Sequence, residues 1–592
     1  MVGGMIVKLS DYIVSPLAMG TRANYEAVKA GQTRLCLYKG LWGLPEPFVA
    51  SLLDDDLLSS ACMAEDIDTI HYTRFERLAI LTAARALQGT GIRPESDRVL
   101  FILATTKGNV GLLDEWHGRR CSSSHLLLTE AACQVAAWFR NPNEPLVVCN
   151  ACISGMDAQL EAMRVLESGR YRQVVVIGAD VLSPFIVSGF QSLKALSAER
   201  CRPFDEDRIG LNLGEAAACV VYALREDVPG DTSRLWSVVD AAIRNDAYHV
   251  STPSKTAEGA CRALHSVLAG KDLSDLAFVN VHGTGTLFND EMEAVALDRM
   301  GLADLPASGL KGYFGHTLGA SGVLETLISM EALNDGLVLA TKGFEHLGVS
   351  RRINISDVHR PATGSAFLKM MAGFGGCNAA LLFSKGGTNF AAPSIKPFEV
   401  EPVYMSHTVH LTESEVVLDG CSLPVEGQGE ALLKFLYHTY VGDYPKFYKM
   451  DPLCKLGFLA SELLLQAEAE REVCPRFLPC EDRAVVIVGR TASICADRAY
   501  QQTIQSADDF YPSPSAFIYT LPNIVTGEIA IRNHYHGETT YLLQDIPVDA
   551  RPLLFQALSS PETRSVLGGW LDIADPDHFE AKLYIINQAN YI

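Results

Sequence analysis

Cys152 stands in VVCNACISGMDAQ, between a short apolar run and a stretch with helical spacing. A cysteine so placed has its sulfur at a helix N-terminus, where free amides and the helix dipole stabilise a thiolate. The backbone amide beside it is also available to an oxyanion. Ser154 and Gly155 permit close approach in the first turn. The setting suits an acyl-accepting nucleophile. It equally suits a redox dithiol, because Cys149-Asn-Ala-Cys152 is the one CxxC of the chain. Most single cysteines are inert buried thiols, and Cys149, closing an apolar strand, fits that description better than Cys152. Two histidines sharpen the choice. His282 ends a strand in VNVHGTGTLFND, and His316 precedes a helix in LKGYFGHTLGASGVLE. Glycine-rich turns at the ends of regular elements are where reactive groups are displayed. A cysteine and two histidines in three such turns make a Cys-His-His set, which a redox dithiol does not need. Lys311 and Glu325 flank His316 and either charge the same pocket or form a solvated ion pair; spacing alone does not separate the two.

The elements that must position these residues follow from periodicity. Residues 75–90 have helical apolar spacing, 98–105 and 145–149 read as strands, 153–168 as a helix and 173–179 as a strand. Strand, helix and strand in succession predict a parallel sheet with right-handed crossovers. A second block repeats the pattern: helix 257–269, strand 276–281, helices 291–300 and 321–335, and a closing strand 378–384. Two αβ blocks, 1–230 and 231–385, thus make up the first body. Residues 386–402, rich in Gly, Pro and small residues, read as a linker, and 403–420 as β-rich, so 386–430 is a connecting segment.

Beyond it the chain repeats itself. DRAVVIVGRTASI from Asp482 matches DRVLFILATTKGN from Asp97, and LPNIVTGEIAIR from Leu521 matches LTEAACQVAAWF from Leu128. The matches keep their order and nearly the same offset. A helical stretch, Leu456–Leu465, precedes the second strand as 75–90 precedes the first. Residues 431–592 are therefore expected to be a diverged copy of the first block, with an unrelated αβ domain as the alternative.

Composition bounds the function. The 592 residues carry a formal net charge of −21, which argues against a general nucleic-acid binder. Fifteen scattered cysteines in a chain this long do not make a disulfide framework, and one CxxC is at most half a zinc site. The amino terminus lacks the pattern of a signal peptide, and no apolar run is long enough to span a membrane. A cytoplasmic protein is expected, with no nucleic acid, metal or membrane span.

The motifs together resemble the β-ketoacyl-acyl-carrier-protein synthase family of the thiolase superfamily. NACISG resembles its nucleophile motif, and RPFDEDRIGLNLGEAAACVVY from Arg202 its central signature. HGTGTLFND resembles its first histidine motif, LKGYFGHTLGASGVLE its Lys–His–Glu motif, and GFGGCNAALLF from Gly373 its late glycine-rich motif. They occur in the family's order across roughly residues 5–385. The resemblance implies an α/β, thiolase-like fold of duplicated αβαβα layers, with a partial thiolase-like αβ domain at the C-terminus. It implies a decarboxylating condensation that extends a fatty-acid, polyketide or aryl polyene chain. Cys152 would carry the acyl group, and His282 and His316 would assist loss of CO2 from malonyl-acyl carrier protein. Amides of Cys152 and Phe374 would form the oxyanion hole, and Lys311 and Glu325 would set the electrostatics around His316. Thr284 and Thr286 would bind the pantetheine arm, with Phe374 and Gly375 at the substrate as a gate. No bound cofactor is implied; substrates travel on the phosphopantetheine of an acyl carrier protein. That partner is acidic, so docking needs local positive charge, for which Arg119, Arg120, Lys194, Arg200 and Arg202 are candidates.

Two departures, Cys377 where Thr is common and GFEHLGVSRRINIS from Gly343, put substrate identity in doubt and lean towards specialised polyketide-like or aryl polyene synthesis. In the diverged copy the nucleophile position falls near Asp545 or Ile546, and no cysteine follows Cys495. The copy resembles an inactive synthase half, of the kind called a chain-length factor. Family synthases are dimers, so the expectation is a homodimer or a pseudo-dimer within one chain. The competing readings are a thiolase-like or initiating synthase, against which His316 in GHTLGASG speaks, and a non-catalytic chain-length-factor or scaffold subunit, against which the intact cysteine and histidines speak.

Overall fold

A computed structural model describes residues 5–116, 125–386, 403–472, 476–506, 509–545 and 550–589. Ten strands make up the main run of its largest sheet. In chain order they are β1 (Ile6–Val14), β2 (Val99–Ala104), β3 (Leu146–Val148), β4 (Gln173–Asp180), β5 (Ala216–Leu224), β6 (Val403–Thr412), β7 (Arg483–Gly489), β8 (Thr539–Leu543), β9 (Ser565–Asp575) and β10 (His578–Gln588). β2 lies parallel to β3 and to β4, while β4–β5 and β5–β1 are antiparallel. The C-terminal strands repeat this arrangement: β7 is parallel to β8 and to β9, while β9–β10 and β10–β6 are antiparallel. The two sets meet where β3 and β8 pair antiparallel, Val148 opposite Leu542 and Val147 opposite Leu543. The order is therefore β1-β5-β4-β2-β3-β8-β7-β9-β10-β6, reading alike from either end.

The central strands β2 to β5, β7 and β8 are buried almost throughout because helices cover both faces, as parallel sheets require. On one side pack α1 (Arg74–Leu87) and α2 (Leu128–Trp138) from the first set, and α3 (Pro452–Glu472) and α4 (Ile524–Asn533) from the second, in one shared core. A capping box of Thr73 and Glu76 starts α1. On the other side lie α5 (Ser154–Glu167) and α6 (Ser321–Asn334), buried along almost their whole length between this sheet and a second one. The second sheet pairs Trp236–Asn245, Cys377–Lys385, Ala366–Gly373 and Leu276–Asn280 in that order. Glycine lets the two central helices touch at their N-terminal ends. A Cβ on Gly155 would stand 2.6 Å from the Gly319 carbonyl oxygen, and one on Gly322 would stand 2.5 Å from the Met156 nitrogen.

Three expectations shift. The helix expected over 291–300 spans Leu287–Arg299, because Leu287 and Phe288 at its start are exposed and hide the apolar period. The strand in the expected connecting segment 386–430 completes the C-terminal sheet, its partner β10 lying at the far end of the sequence; residues 387–402 lie outside the described residues. Strand register also moves the position equivalent to Cys152. Ile102 pairs with Leu146, and the matching Ile487 pairs with Tyr541, so the count reaches Pro547 rather than Asp545 or Ile546. Residues 546–549 lie outside the described residues. Among the described residues, no helix is long and apolar enough to cross a membrane.

Candidate active site

Cys152 sits in a short 3-10 turn, Ala151–Ile153, between β3 and α5. Ala151 takes a left-handed backbone (φ 48°), a conformation that turns the chain sharply and that a side-chain-bearing residue rarely adopts. The sulfur reaches the floor of a cavity of about 330 Å³ that opens to the surface. The N–H groups of Cys152 and Phe374 both act on that sulfur. Burial pushes the thiol up to about 12, while the Lys311 ammonium pulls the other way.

His282 and His316 line the same cavity, their ring centroids 5.0 Å apart and their planes nearly perpendicular. The sulfur and one nitrogen of each ring lie within 4.8 Å of one another. Burial holds both imidazoles well below their ordinary value, reinforced by Lys311 and Lys369. Both rings are therefore neutral at physiological pH. The Leu318 N–H donates to His316 Nδ1 at 3.2 Å, which makes Nδ1 the acceptor and leaves the proton on Nε2. His316 Nε2 has no partner among the described residues.

Lys311 and Glu325 form a buried ion pair behind the histidines, joined by Lys369, whose Nζ lies 2.6 Å from Glu325 Oε2. Burial would raise the Glu325 carboxyl, but the two ammonium groups outweigh it and hold it below its usual range. Burial lowers Lys369 to about 8 against the pull of Glu325. The alternative of a solvated Lys311–Glu325 pair is excluded, since both side chains are buried.

Carboxylates fix the turns. Glu293 accepts the N–H groups of His282 (2.6 Å) and Gly283 (2.7 Å). Asp290 accepts those of Thr284, Gly285 and Phe204. Asp180, at the end of β4, accepts from Thr105 Oγ1 (2.8 Å), the Thr106 N–H (3.0 Å) and the Gly319 N–H (2.7 Å), tying the end of β2 to the turn that follows His316. Thr284 and Thr286 line the cavity with their hydroxyls 2.8 Å apart, and Ile209, Leu287 and Phe288 lie exposed at its rim. Phe374 stands between this cavity and a second, apolar space of about 20 Å³ on the far side of Cys152. Phe517 and Leu521, from the C-terminal part, wall that space.

The structure brings together Cys152, His282, His316, Thr284, Thr286 and Phe374 in the cavity, with Lys311 and Glu325 behind them. Gly375 lies in the Phe374 loop with φ 91°. Of the basic candidates, Lys194 is exposed and lines the cavity. Arg200 is exposed and donates to the Leu35 carbonyl. Arg202 is paired with Asp205 and Glu345. Arg119 and Arg120 lie outside the described residues. Cys149 is fully buried, its thiol 3.4 Å from the Thr106 carbonyl, and burial raises it far above the ordinary thiol range. That environment does not suit the redox partner the CxxC spacing allowed.

Lys369, Glu293, Asp290 and Asp180 escaped the sequence reading. Lys369 is a lone cation in the apolar run AFLKMMAG, and Asp180 ends QVVVIGAD, so each carried a signal as a charge inside a buried strand. Asn523, which contacts the Phe374 loop, carried none.

Comparison with known proteins gives the class first. The whole chain superposes on a solved structure titled PfaC keto synthase–chain length factor (TM-score 0.76, 14% identity, 100% of this chain and 79% of that one). It also matches the ketosynthase ApeO in complex with its chain length factor ApeC, from Xenorhabdus doucetiae (TM-score 0.56, 22% identity, 64% of this chain and 98% of that one). The fold is that of the thiolase-like condensing enzymes. In sequence, family models described as the N-terminal and C-terminal domains of β-ketoacyl synthase match residues 61–227 and 235–345. The 3-oxoacyl-[acyl-carrier-protein] synthase 2 of Rhizobium meliloti is 30% identical over 63% of this chain and 97% of its own length. The ketoacyl synthase alpha subunit of the tetracenomycin polyketide synthase of Streptomyces glaucescens is 28% identical over 63% of this chain and 95% of its own length. The chain belongs to the β-ketoacyl synthase family of carbon–carbon bond-forming enzymes.

Proposed function

We propose that this chain condenses a Cys152-bound acyl group with a malonyl thioester, each delivered on the phosphopantetheine of an acyl carrier protein. The observation that carries the reading is the close set of Cys152 sulfur and two neutral imidazoles on one cavity floor. The Cys152 thiolate attacks the acyl-pantetheine carbonyl, and the N–H groups of Cys152 and Phe374 receive the oxyanion. Collapse breaks the pantetheine C–S bond, and the departing thiolate takes up the proton the cysteine released. A malonyl thioester, its arm along Thr284 and Thr286, then loses CO2. The electrons of the broken C–C bond move onto the thioester oxygen, where the neutral N–H groups of His282 and His316 hydrogen-bond the enolate. The enolate carbon attacks the Cys152 thioester, a new C–C bond forms and the thiolate leaves. A charged imidazolium would quench the enolate by proton transfer, so the lowered basicity of both rings serves the step.

The C-terminal residues act as a synthase-like half without a nucleophile, pairing in cis where a dimer partner would stand. The two-ended strand order and the β3–β8 junction support this. The chain then carries one active site. Phe517 and Leu521 restrict the acyl side to short groups until they move. Lys194 and the exposed rim of Ile209, Leu287 and Phe288 supply the carrier contact. Condensation assays with acyl- and malonyl-carrier protein test the reading. Product formed by wild type and lost in His316→Ala supports it, and a wild type that takes up acyl groups but forms no product contradicts it.

A further inference from the structure

The backbone of the Phe374 loop is held by the C-terminal half. Asn523, at the N-terminus of α4, donates from Nδ2 to the Phe374 carbonyl at 2.8 Å, and the Cys377 thiol approaches the same oxygen at 3.2 Å. Asn523 is 1% exposed and its Oδ1 has no partner among the described residues. The next carbonyl of the loop, that of Gly375, accepts from Asn245 Nδ2 at 2.9 Å, and the same Nδ2 lies 3.0 Å from Thr539 Oγ1 on β8. The fit is close on both sides. A Cβ on Gly375 would stand 2.7 Å from Asn523 Nδ2, and one on Gly527 would stand 2.5 Å from the Gly375 oxygen. Gly375 and Gly376 take φ of 91° and 74°, so neither residue fixes the loop by its own backbone preference.

We infer that Asn523 is a positioning residue for the condensation: its amide holds the Phe374 carbonyl and so keeps the Phe374 N–H directed at Cys152. The inference rests on the proposed oxyanion role of that N–H. It assigns the C-terminal half a part in the chemistry besides pairing. The polarity of the contact is the discriminating feature. Packing needs only the shape of Asn523, whereas holding a carbonyl needs a donor. Asn523→Asp keeps the shape and offers a donor only when protonated.

The test is a pH series on full-length wild type, Asn523→Asp and Asn523→Ala, between about pH 6 and pH 9, where buried carboxyls titrate. The readouts are condensation kcat and KM, thermal melting, and the rate of Cys152 alkylation by iodoacetamide, which needs no substrate. The ionisable side chains beside this turn are Cys377 and Cys152 on the loop side, with the Lys107–Asp497 ion pair at Thr520. Dividing each variant by wild type at the same pH removes their contribution. The expected result at high pH is a fall in kcat of about tenfold to a hundredfold in both variants, with KM little changed. Asn523→Asp, and not Asn523→Ala, recovers towards wild type as pH falls, in kcat and in alkylation alike. The inference is overturned if the Asn523→Asp ratio is flat with pH, or if both variants lose melting temperature while kcat holds. A wild type without condensing activity overturns the functional reading instead, and the alkylation ratio still reports on the loop.

Discussion

The backbone N–H of Cys149 donates to the carbonyl of Tyr541 at 3.1 Å, so the strand that delivers Cys152 is held on its outer edge by the C-terminal half. Asn150 Nδ2 adds a bond to the Thr539 carbonyl at 2.8 Å. Nearby, Arg164 on α5 is buried between Glu161 and Glu538, with Nη2 2.6 Å from Glu538 Oε2. The turn that carries Cys152 is therefore held from both ends of the chain.

Arg164→Ala strands two carboxylates in the interior. Breaking a buried pair by removing one partner costs about 3–5 kcal/mol. Urea denaturation of the variant is expected to show a lower midpoint, with loss of activity coinciding with unfolding. An unchanged midpoint would mean that the halves do not depend on this pair.

Glu325 holds two buried ammonium groups. Its carboxyl sits below its unfolded value of 4.5, so the native state binds fewer protons than the unfolded state in the interval between the two values. The stability it contributes is complete above 4.5 and is lost as pH falls through the depressed native value. Glu325→Gln is expected to be much less stable than wild type at neutral pH, with the gap closing in acid. A gap independent of pH would show that the charge is not what stabilises.

Lys311 is the cation that draws the Cys152 thiol down from the height burial imposes. Lys311→Met, checked for folding by circular dichroism, is expected to alkylate at Cys152 more slowly than wild type at any pH near 8, by about tenfold for each unit the thiol rises. Equal rates would place the control of the thiol elsewhere.

Phe517 and Leu521 wall the small space beyond Cys152. Phe517→Ala is expected to extend the range of acyl groups that Cys152 accepts towards longer chains while leaving the shortest donors unaffected. An unchanged acyl range would contradict the proposed limit.

The order of αβ elements and the grouping of Cys152, His282 and His316 were legible in the sequence because each lies in a local signature: an apolar strand, a glycine turn, a helix start. Lys369 and Asp180 were legible in principle, as charges inside apolar runs. Residues 403–420 read as β-rich, but the place of Val403–Thr412 in the sheet was not legible, because its partner His578–Gln588 lies at the far end of the sequence and no local pattern reveals a pairing so remote. Asn523 was not, since an asparagine at a helix start reads as an ordinary cap; only the fold carries it to the Phe374 carbonyl. The ion pairs of Arg202 with Asp205 and Glu345 were not legible either, since no local pattern joins residue 202 to residue 345.

The most direct measurement of the central claim is intact mass after mixing the protein with a panel of acyl-loaded carrier proteins. A single acyl addition per chain, absent in Cys152→Ala, is the predicted result. Two additions, an addition that survives in Cys152→Ala, or none with any donor would contradict it.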